Sequence, residues 1–348
     1  MVDYTNCDLQ QVSVHQVGNK ANEGELHLSK SMLDVSDANL KELLFHYFLK
    51  PFTETEFYNF AFSGEELSMN PLFNYANTLF EDPDAFHINS IKIARHLYEV
   101  THHPNIKPGD LFVARFINIQ VNEEPTEAIG IFKAENKQSF LKINHKTEDI
   151  ILDYEEGIHI DKLDKGCLIF NIDKEEGYKV TMIDKSNKSL DAQYWKDSFL
   201  NLKACNDDYH STAALLNMTK DFVTKQIPEE FEVGKADQID MLNRSVEYFK
   251  SNESFNKEDF EEKVLHQPEV IESFRNFDNA YKADNDLSFT ESFEISPQAV
   301  KKQARNFKSV LKLDKNFHIY IHGDRSKIEQ GVDANGQKYY KIYYDQEQ

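Results

Sequence analysis

The chain has 348 residues and a net charge of −21, with 60 acidic against 39 basic side chains and 40% hydrophobic residues. That length predicts two domains, or one large domain with an appendage, and 26 Phe with 16 Tyr supply enough core material to exclude global disorder. The charge excludes a protein that coats nucleic acid over its whole surface, but it admits a local basic footprint or an acidic protein-binding body. The polar N-terminus MVDYTNCDLQQ lacks a signal-peptide pattern, and no apolar run nears the roughly 20 residues of a membrane span. Three scattered cysteines (Cys7, Cys167, Cys205) argue against a disulfide framework or zinc site and point to a reducing cytoplasm.

In chain order, Val12–Val17 and Glu25–Leu28 read as short strands. Residues 37–49 read as a helix capped by Ser36 or Asp37 and stopped by Pro51. Residues 52–86 hold Phe52, Phe57, Tyr58, Phe60, Phe62, Phe73, Tyr75, Phe80 and Phe86 among acidic residues, and predict short helical turns. Residues 88–100 predict a helix with Ile88, Ile91, Ala94 and Leu97 on its apolar face. The period then changes. LFVARFINIQV (111–121) is apolar on both faces, as a central strand requires. Residues 128–134, 139–143, 148–154, 166–172 and 178–183 follow as strands separated by turns, so the sheet is expected to be mostly antiparallel.

From about residue 190 the pattern is helical. Residues 210–226 align Leu215, Met218 and Phe222, and residues 236–250 align Ile239, Leu242, Val246 and Phe249. Residues 257–265 read as a short acidic helix, and the polar stretch 276–290 as a loop or linker. Ser296 and Pro297 then open a predicted helix over 297–312. The end is β: FHIYIH (317–322) alternates, Asn335-Gly336 marks a tight turn, and KYYKIYY (338–344) is the return strand. These elements predict an α+β protein. A domain over 1–200 holds the antiparallel sheet with helices. A second over 201–348 holds a helical region and a terminal helix-plus-β unit.

The helix over 297–312 carries two stripes. Val300, Ala304, Phe307 and Leu311 form an apolar one, and Lys301, Arg305, Lys308 and Lys312 form a basic one beside it. Lys302 and Lys315 lie within the same fifteen residues, and Arg325 and Lys327 follow in the next loop. Residues 301–348 carry ten Lys and Arg against six Asp and Glu, a net +4, whereas residues 1–300 carry −25. Phosphate binding needs such a cluster of cations on one exposed face. The bland alternative is a solvated face, or one paired with acidic helices such as 258–262. Tyr339, Tyr340, Tyr343 and Tyr344 interleave with Lys338 and Lys341, and His318, Tyr320 and His322 share a strand face. Aromatics beside cations can stack on bases, although tyrosine is favoured on β surfaces anyway. Asp207, Asp208 and His210 fit an N-cap better than an acid–base pair, and His102-His103 is a poor metal site.

No phosphate-loop, dinucleotide, nucleophile-elbow or zinc-protease motif occurs, and the carboxylates define no two-metal nuclease centre. No catalytic residue, metal or cofactor is expected.

Five segments carry a resemblance: GDLFVARF (109–116), LDKGCLIFNID (163–173), YWKDSFLNLKACNDDYHSTAALLNMTKDFV (194–223), KADQIDMLNRSVEYFK (235–250) and FEISPQAVKKQARNFKSVLKLDKNFHIYIHG (293–323). In their overall pattern they resemble the bacterial nucleoid-associated proteins of the NdpA (YejK-like) type, in a variant like that of Bacteroidetes, over nearly the whole chain. The resemblance implies a cytoplasmic, nucleoid-located, non-enzymatic protein that binds double-stranded DNA, with RNA as a further ligand. The basic cluster Lys301, Lys302, Arg305, Lys308, Lys312, Lys315, Arg325 and Lys327 is the expected contact surface, read from charge alone. The rival expectation is an acidic interaction factor that works through residues 52–86 and is recruited by a DNA-processing partner. No membrane contact is expected, and apolar helix faces leave a homodimer open.

Overall fold

The computed structural model describes residues 2–53, 56–62, 66–144, 150–185, 194–285, 287, 290–307, 310–321 and 325–346. The chain divides into two units, Met1–Cys205 and Asn206–Gln348.

The first unit runs β1 (Val2–Asp3), β2 (Asp8–Val17), β3 (Leu26–Leu28), α1 (Ala38–Leu49), β4 (Phe57–Phe60), α2 (Pro71–Glu81) and α3 (Phe86–Val100). It continues through β5 (Gly109–Val121), β6 (Glu124–Ala134), β7 (Lys137–Asn144), β8 (Ile151–Ile158), β9 (Lys165–Phe170), β10 (Lys179–Asp184), a π-helical turn at Tyr194–Leu200 and β11 (Leu202–Ala204). One sheet has the order β11-β4-β10-β9-β6-β5-β2-β3, with β1 on β5, and every pairing is antiparallel. Both faces are covered. On one, Leu111, Val113, Ile129 and Ile131 pack under α2, α3 and the 194–200 turn. On the other, Phe112, Ala114, Phe116 and Phe132 pack under α1, where Phe48 stacks on Phe132 at 4.3 Å. This double burial is why β5 is apolar on both sides.

The capping chemistry decides local starts. Asp37 caps α1, its carboxylate accepting from the backbone N–H of Asn39 and Leu40. Asn70 does the same for α2, with Pro71 at the first helical position. Two expectations change here. Residues 52–86 contain a strand, β4, as well as the full helix α2; four residues are too few for a period to show. The buried face of α3 is Phe86, Ser90, Ile93, Ala94 and Leu97, while Ile88 is exposed. Ser90 lies inward because its hydroxyl meets His15 Nε2 at 2.9 Å.

His15 is buried and neutral. The Ser29 backbone N–H donates to its Nδ1 at 3.2 Å, which leaves Nε2–H to donate to Ser90. Burial, and then the neighbouring His87, pushes its pKa down to about 4. The unfolded chain therefore binds a proton between about pH 6.5 and 4 that the folded chain refuses, and stability falls as pH drops through that window. A His15→Gln variant is expected to show a smaller fall in melting temperature from pH 7 to pH 5 than the unsubstituted chain; an equal fall would contradict the assignment.

A charged cluster is sealed inside this unit. Lys133 and Lys165 are directly opposed across β6 and β9, an unfavourable pairing that needs counter-charges. Glu135 lies 2.9 Å from Lys133, and Asp184 lies 2.7 Å from Lys165. Tyr194 sits over both ammonium groups at 5.5 and 5.2 Å, and its hydroxyl bonds Glu135. Burial pushes Lys133 below the usual lysine range, opposed by the charge and hydrogen bond of Glu135.

The second unit runs α4 (Asp208–Asp221), a π-helical turn at Phe222–Gln226, α5 (Ile227–Glu230), α6 (Lys235–Ser251), β12 (Ser254–Asn256), α7 (Lys257–Phe260), a second π-helical turn at Glu261–Leu265 and α8 (Pro268–Asp284). Then come β13 (Ser292–Glu294), α9 (Pro297–Ala304), β14 (Val310–Leu313), β15 (Phe317–Tyr320), β16 (Ile328–Val332) and β17 (Lys338–Ile342). The helices enclose a core that includes Leu216, Phe222, Phe249, Phe260 and Phe274. A smaller cluster joins Ala236 and Ile239 of α6 to Leu311, Ile321 and Ile328.

The predicted linker 276–290 is corrected over its first part: α8 continues to Asp284. Val270, Phe274, Phe277 and Tyr281 recur at helical spacing, and Asp278, which makes the stretch read as polar, is buried between Lys257 at 2.6 Å and Lys282 at 3.0 Å. The terminal pairing is also corrected. FHIY pairs with VLKL of β14, and KYYKI pairs with IEQGV of β16, rather than the two predicted strands pairing with each other.

Candidate nucleic-acid interface

The basic segment begins as predicted and ends differently. Ser296 accepts a hydrogen bond from the Ala299 N–H and Pro297 occupies the first helical position of α9. The helix stops at Ala304, eight residues short of the predicted end. Asn306 and Phe307 close it with tight turns, donating to the carbonyls of Gln303 at 2.8 Å and Ala304 at 3.1 Å. Val310–Leu313 then pairs as a strand with Phe317–Tyr320. VLKL satisfies helical and strand patterns alike, and the hairpin wins because Leu311 is buried in the smaller cluster beside Ile321 and Ile328. The apolar stripe is therefore divided between two cores: Val300 and Phe307 enter the helical one, and Leu311 enters the other.

The cations are distributed accordingly. Lys301 and Lys302 are exposed in the last turn of α9, where a positive charge also suits the helix dipole. Arg305 caps the same end, one turn beyond Lys301 and exposed. Lys302 Nζ lies 5.7 Å from the ring centre of Tyr209. Lys308 and His322 lie outside the described residues. Lys312 sits on the exposed face of β14, directly opposite His318, and Tyr320 shares that face at 65% exposure. Lys315 is exposed in the turn whose first residue, Asp314, has φ +50°. Among the described residues, Lys301, Arg305, Lys312 and Lys315 have no ion-pair partner.

Arg325 and Lys327 are differently placed. Arg325 is half-buried, with Nε 2.7 Å from Asp237 at the start of α6 and its guanidinium donating also to the Ile328 carbonyl. Asp237 in turn accepts from the Gly234 N–H, so Arg325 ties the loop to the helix start. Lys327 pairs with Asp345. These two cations are occupied by structure, a pairing over 88 residues in the case of Arg325 that no local pattern announces.

The terminal tyrosines divide. Tyr340 packs on the smaller cluster, while Tyr339 and Tyr344 are exposed. Tyr343 donates to Glu329 at 2.8 Å, and Lys341 lies 4.8 Å over its ring. Asp207 caps α4, accepting from the His210 N–H at 2.9 Å, as its position suggested. Eight of the nine aromatics of 52–86 pack on core, Phe52 and Phe57 on the α1 side, Tyr58, Phe60, Phe73, Tyr75, Phe80 and Phe86 on the other, while Phe62 is half-buried. Among the described residues no group of three or more His, Cys, Asp or Glu could hold a metal ion. Among the same residues no helix is long and apolar enough to cross a membrane.

A family model described as nucleoid-associated protein YejK matches residues 13–348. The chain belongs to this family. The match spans nearly all of both units, so the sheet unit and the mainly helical second unit belong to one family architecture. No curated protein matches the chain.

Proposed function

We propose that this chain is a non-enzymatic protein of the cytoplasmic nucleoid that binds double-stranded DNA through phosphate contacts from Lys301, Arg305, Lys312 and Lys315. Lys302 and Lys308 lie among them in sequence. The observation that carries the reading is four exposed cations without ion-pair partners among the described residues, within fifteen positions, on a chain whose first 300 residues carry −25. Phosphates are the ligand such a patch fits best, because a duplex offers anions at a spacing several side chains can share. The contact surface is a helix end followed by a hairpin rather than one continuous basic helix. RNA offers the same phosphates and is expected to compete. Family membership supports nucleoid association, and the packing of most aromatics of 52–86 against core weakens the rival in which that segment recruits the chain to a DNA-processing partner.

Photo-crosslinking to a halogenated DNA duplex tests the assignment. Crosslinked peptides are expected within residues 297–320. Crosslinks confined to the first unit would remove it.

A further inference from the structure

The β14–β15 hairpin has two faces. Leu311, Leu313 and Ile319 turn toward the smaller cluster, where α6, β16 and β17 meet them with Ile239, Ile328 and Tyr340. The other face carries Val310, Lys312, His318 and Tyr320, and the last three are exposed. His318 is paired directly across the hairpin with Lys312, one of the four proposed phosphate contacts. Side chains so placed have Cβ atoms about 4.5–5.5 Å apart. Among the described residues His318 forms no ion pair.

Few charged groups surround it. Lys312 stands opposite, Tyr320 follows on its own strand, and Asp314 and Lys315 lie exposed in the turn. The packed elements bring apolar and tyrosine side chains to the far face. On α6, Asn243 donates to the Ile321 carbonyl, and Asp240 and Arg244 pair with each other at 3.1 Å. A histidine ordinarily changes charge between about pH 5 and 8. An anion within roughly 4–6 Å favours its charged form, and a phosphate held by Lys312 comes within that reach of the ring opposite. Two cations facing each other across a strand pair repel, and a phosphate oxygen between them replaces that repulsion with two charge-assisted contacts. We infer, resting on the DNA-binding reading, that His318 is a fifth phosphate contact that takes up a proton when DNA binds, so that affinity rises as pH falls. By linkage, protonation strengthens DNA binding by the factor by which DNA binding strengthens protonation.

Anisotropy of a labelled random-sequence duplex at about pH 6 and about pH 8, on either side of a histidine's charge change, tests this coupling. The parent chain should bind about tenfold more tightly at the lower pH, the contribution of one charge-assisted contact. Its log–log salt slope should steepen from about −3.6 to about −4.5 as four neutralised phosphates become five. His318→Gln should bind nearly equally at both, with the affinity the parent has at the higher pH. His318→Lys should also bind nearly equally at both, with the affinity the parent has at the lower pH. Other histidines change charge over the same range, and these two variants separate their effect from that of His318. A parent chain that binds with a steep salt slope but no pH dependence, or a His318→Gln chain that keeps the parental pH dependence, would overturn the inference and leave the DNA contact standing. A parent chain that binds at neither pH would remove the DNA-binding reading and this inference together.

Discussion

Reversing Arg305 and Lys312 to glutamate together is expected to weaken binding of a random-sequence DNA duplex about a hundredfold. A charge-assisted hydrogen bond contributes about 1.5 kcal/mol or more, so two lost contacts cost about 3 kcal/mol, and each 1.4 kcal/mol is a factor of ten. Repulsion by the new carboxylates adds to the loss. Both side chains are exposed and neither enters a core cluster, so the helical circular dichroism and melting of the variant should match those of the parent. Arg325→Ala provides the contrast. It removes the link to Asp237 and the Ile328 carbonyl, so it should lower the stability of the second unit while leaving the affinity of folded protein nearly unchanged. An Arg305→Glu/Lys312→Glu double variant with parental affinity would place the DNA contact elsewhere. So would a folded Arg325→Ala variant that loses DNA more severely than the double variant does.

The second large effect is on stability. Lys133→Met leaves the Glu135 side chain, 3% exposed, without its cation. Removing one member of a buried pair typically costs about 3–5 kcal/mol, because the remaining charge keeps its desolvation penalty. Tyr194 still donates to Glu135, which places the expectation near 3 kcal/mol rather than 5. The single tryptophan, Trp195, is fully buried in the same unit, so its fluorescence during urea unfolding reports this unit selectively. Replacing the whole pair, Lys133→Met with Glu135→Leu, should recover most of the loss, since apolar substitutes for both partners of a buried pair are often neutral. A single variant as stable as the parent would show that the pair contributes nothing. A double variant no better than the single would show that the lost stability has another origin.

The parts of the fold that were legible are those where burial is regular over eight or more residues. β5 reads as a central strand because Leu111 and Val113 face one core and Phe112 and Ala114 the other. α6 reads as a helix because Leu242 and Phe249 return to one face, although Ile239 serves the smaller cluster. Illegible parts fall into two kinds. Short segments such as FYNF of β4 and VLKL of β14 carry too few residues for a period, and long-range pairing decides them. Polar residues inside a core mislead: the stretch 276–284, with Asp278 in it, read as part of a linker, yet it ends α8 and Lys257 and Lys282 neutralise Asp278 there. The candidate site shows the same division. Clustered cations stand out in an acidic chain, but whether a cation is available depends on partners distant in sequence, as Asp237 is for Arg325.

The measurement that tests the DNA-binding account most directly is fluorescence anisotropy of a labelled random-sequence duplex titrated with the full chain at several salt concentrations. Four phosphates neutralised by Lys301, Arg305, Lys312 and Lys315 predict a log–log slope of about −3.6 per protomer, and about a 150-fold loss between roughly 50 and 200 mM salt. The account predicts binding at the lower salt with that steep decline. No binding at 50 mM, or an affinity indifferent to salt, would contradict it.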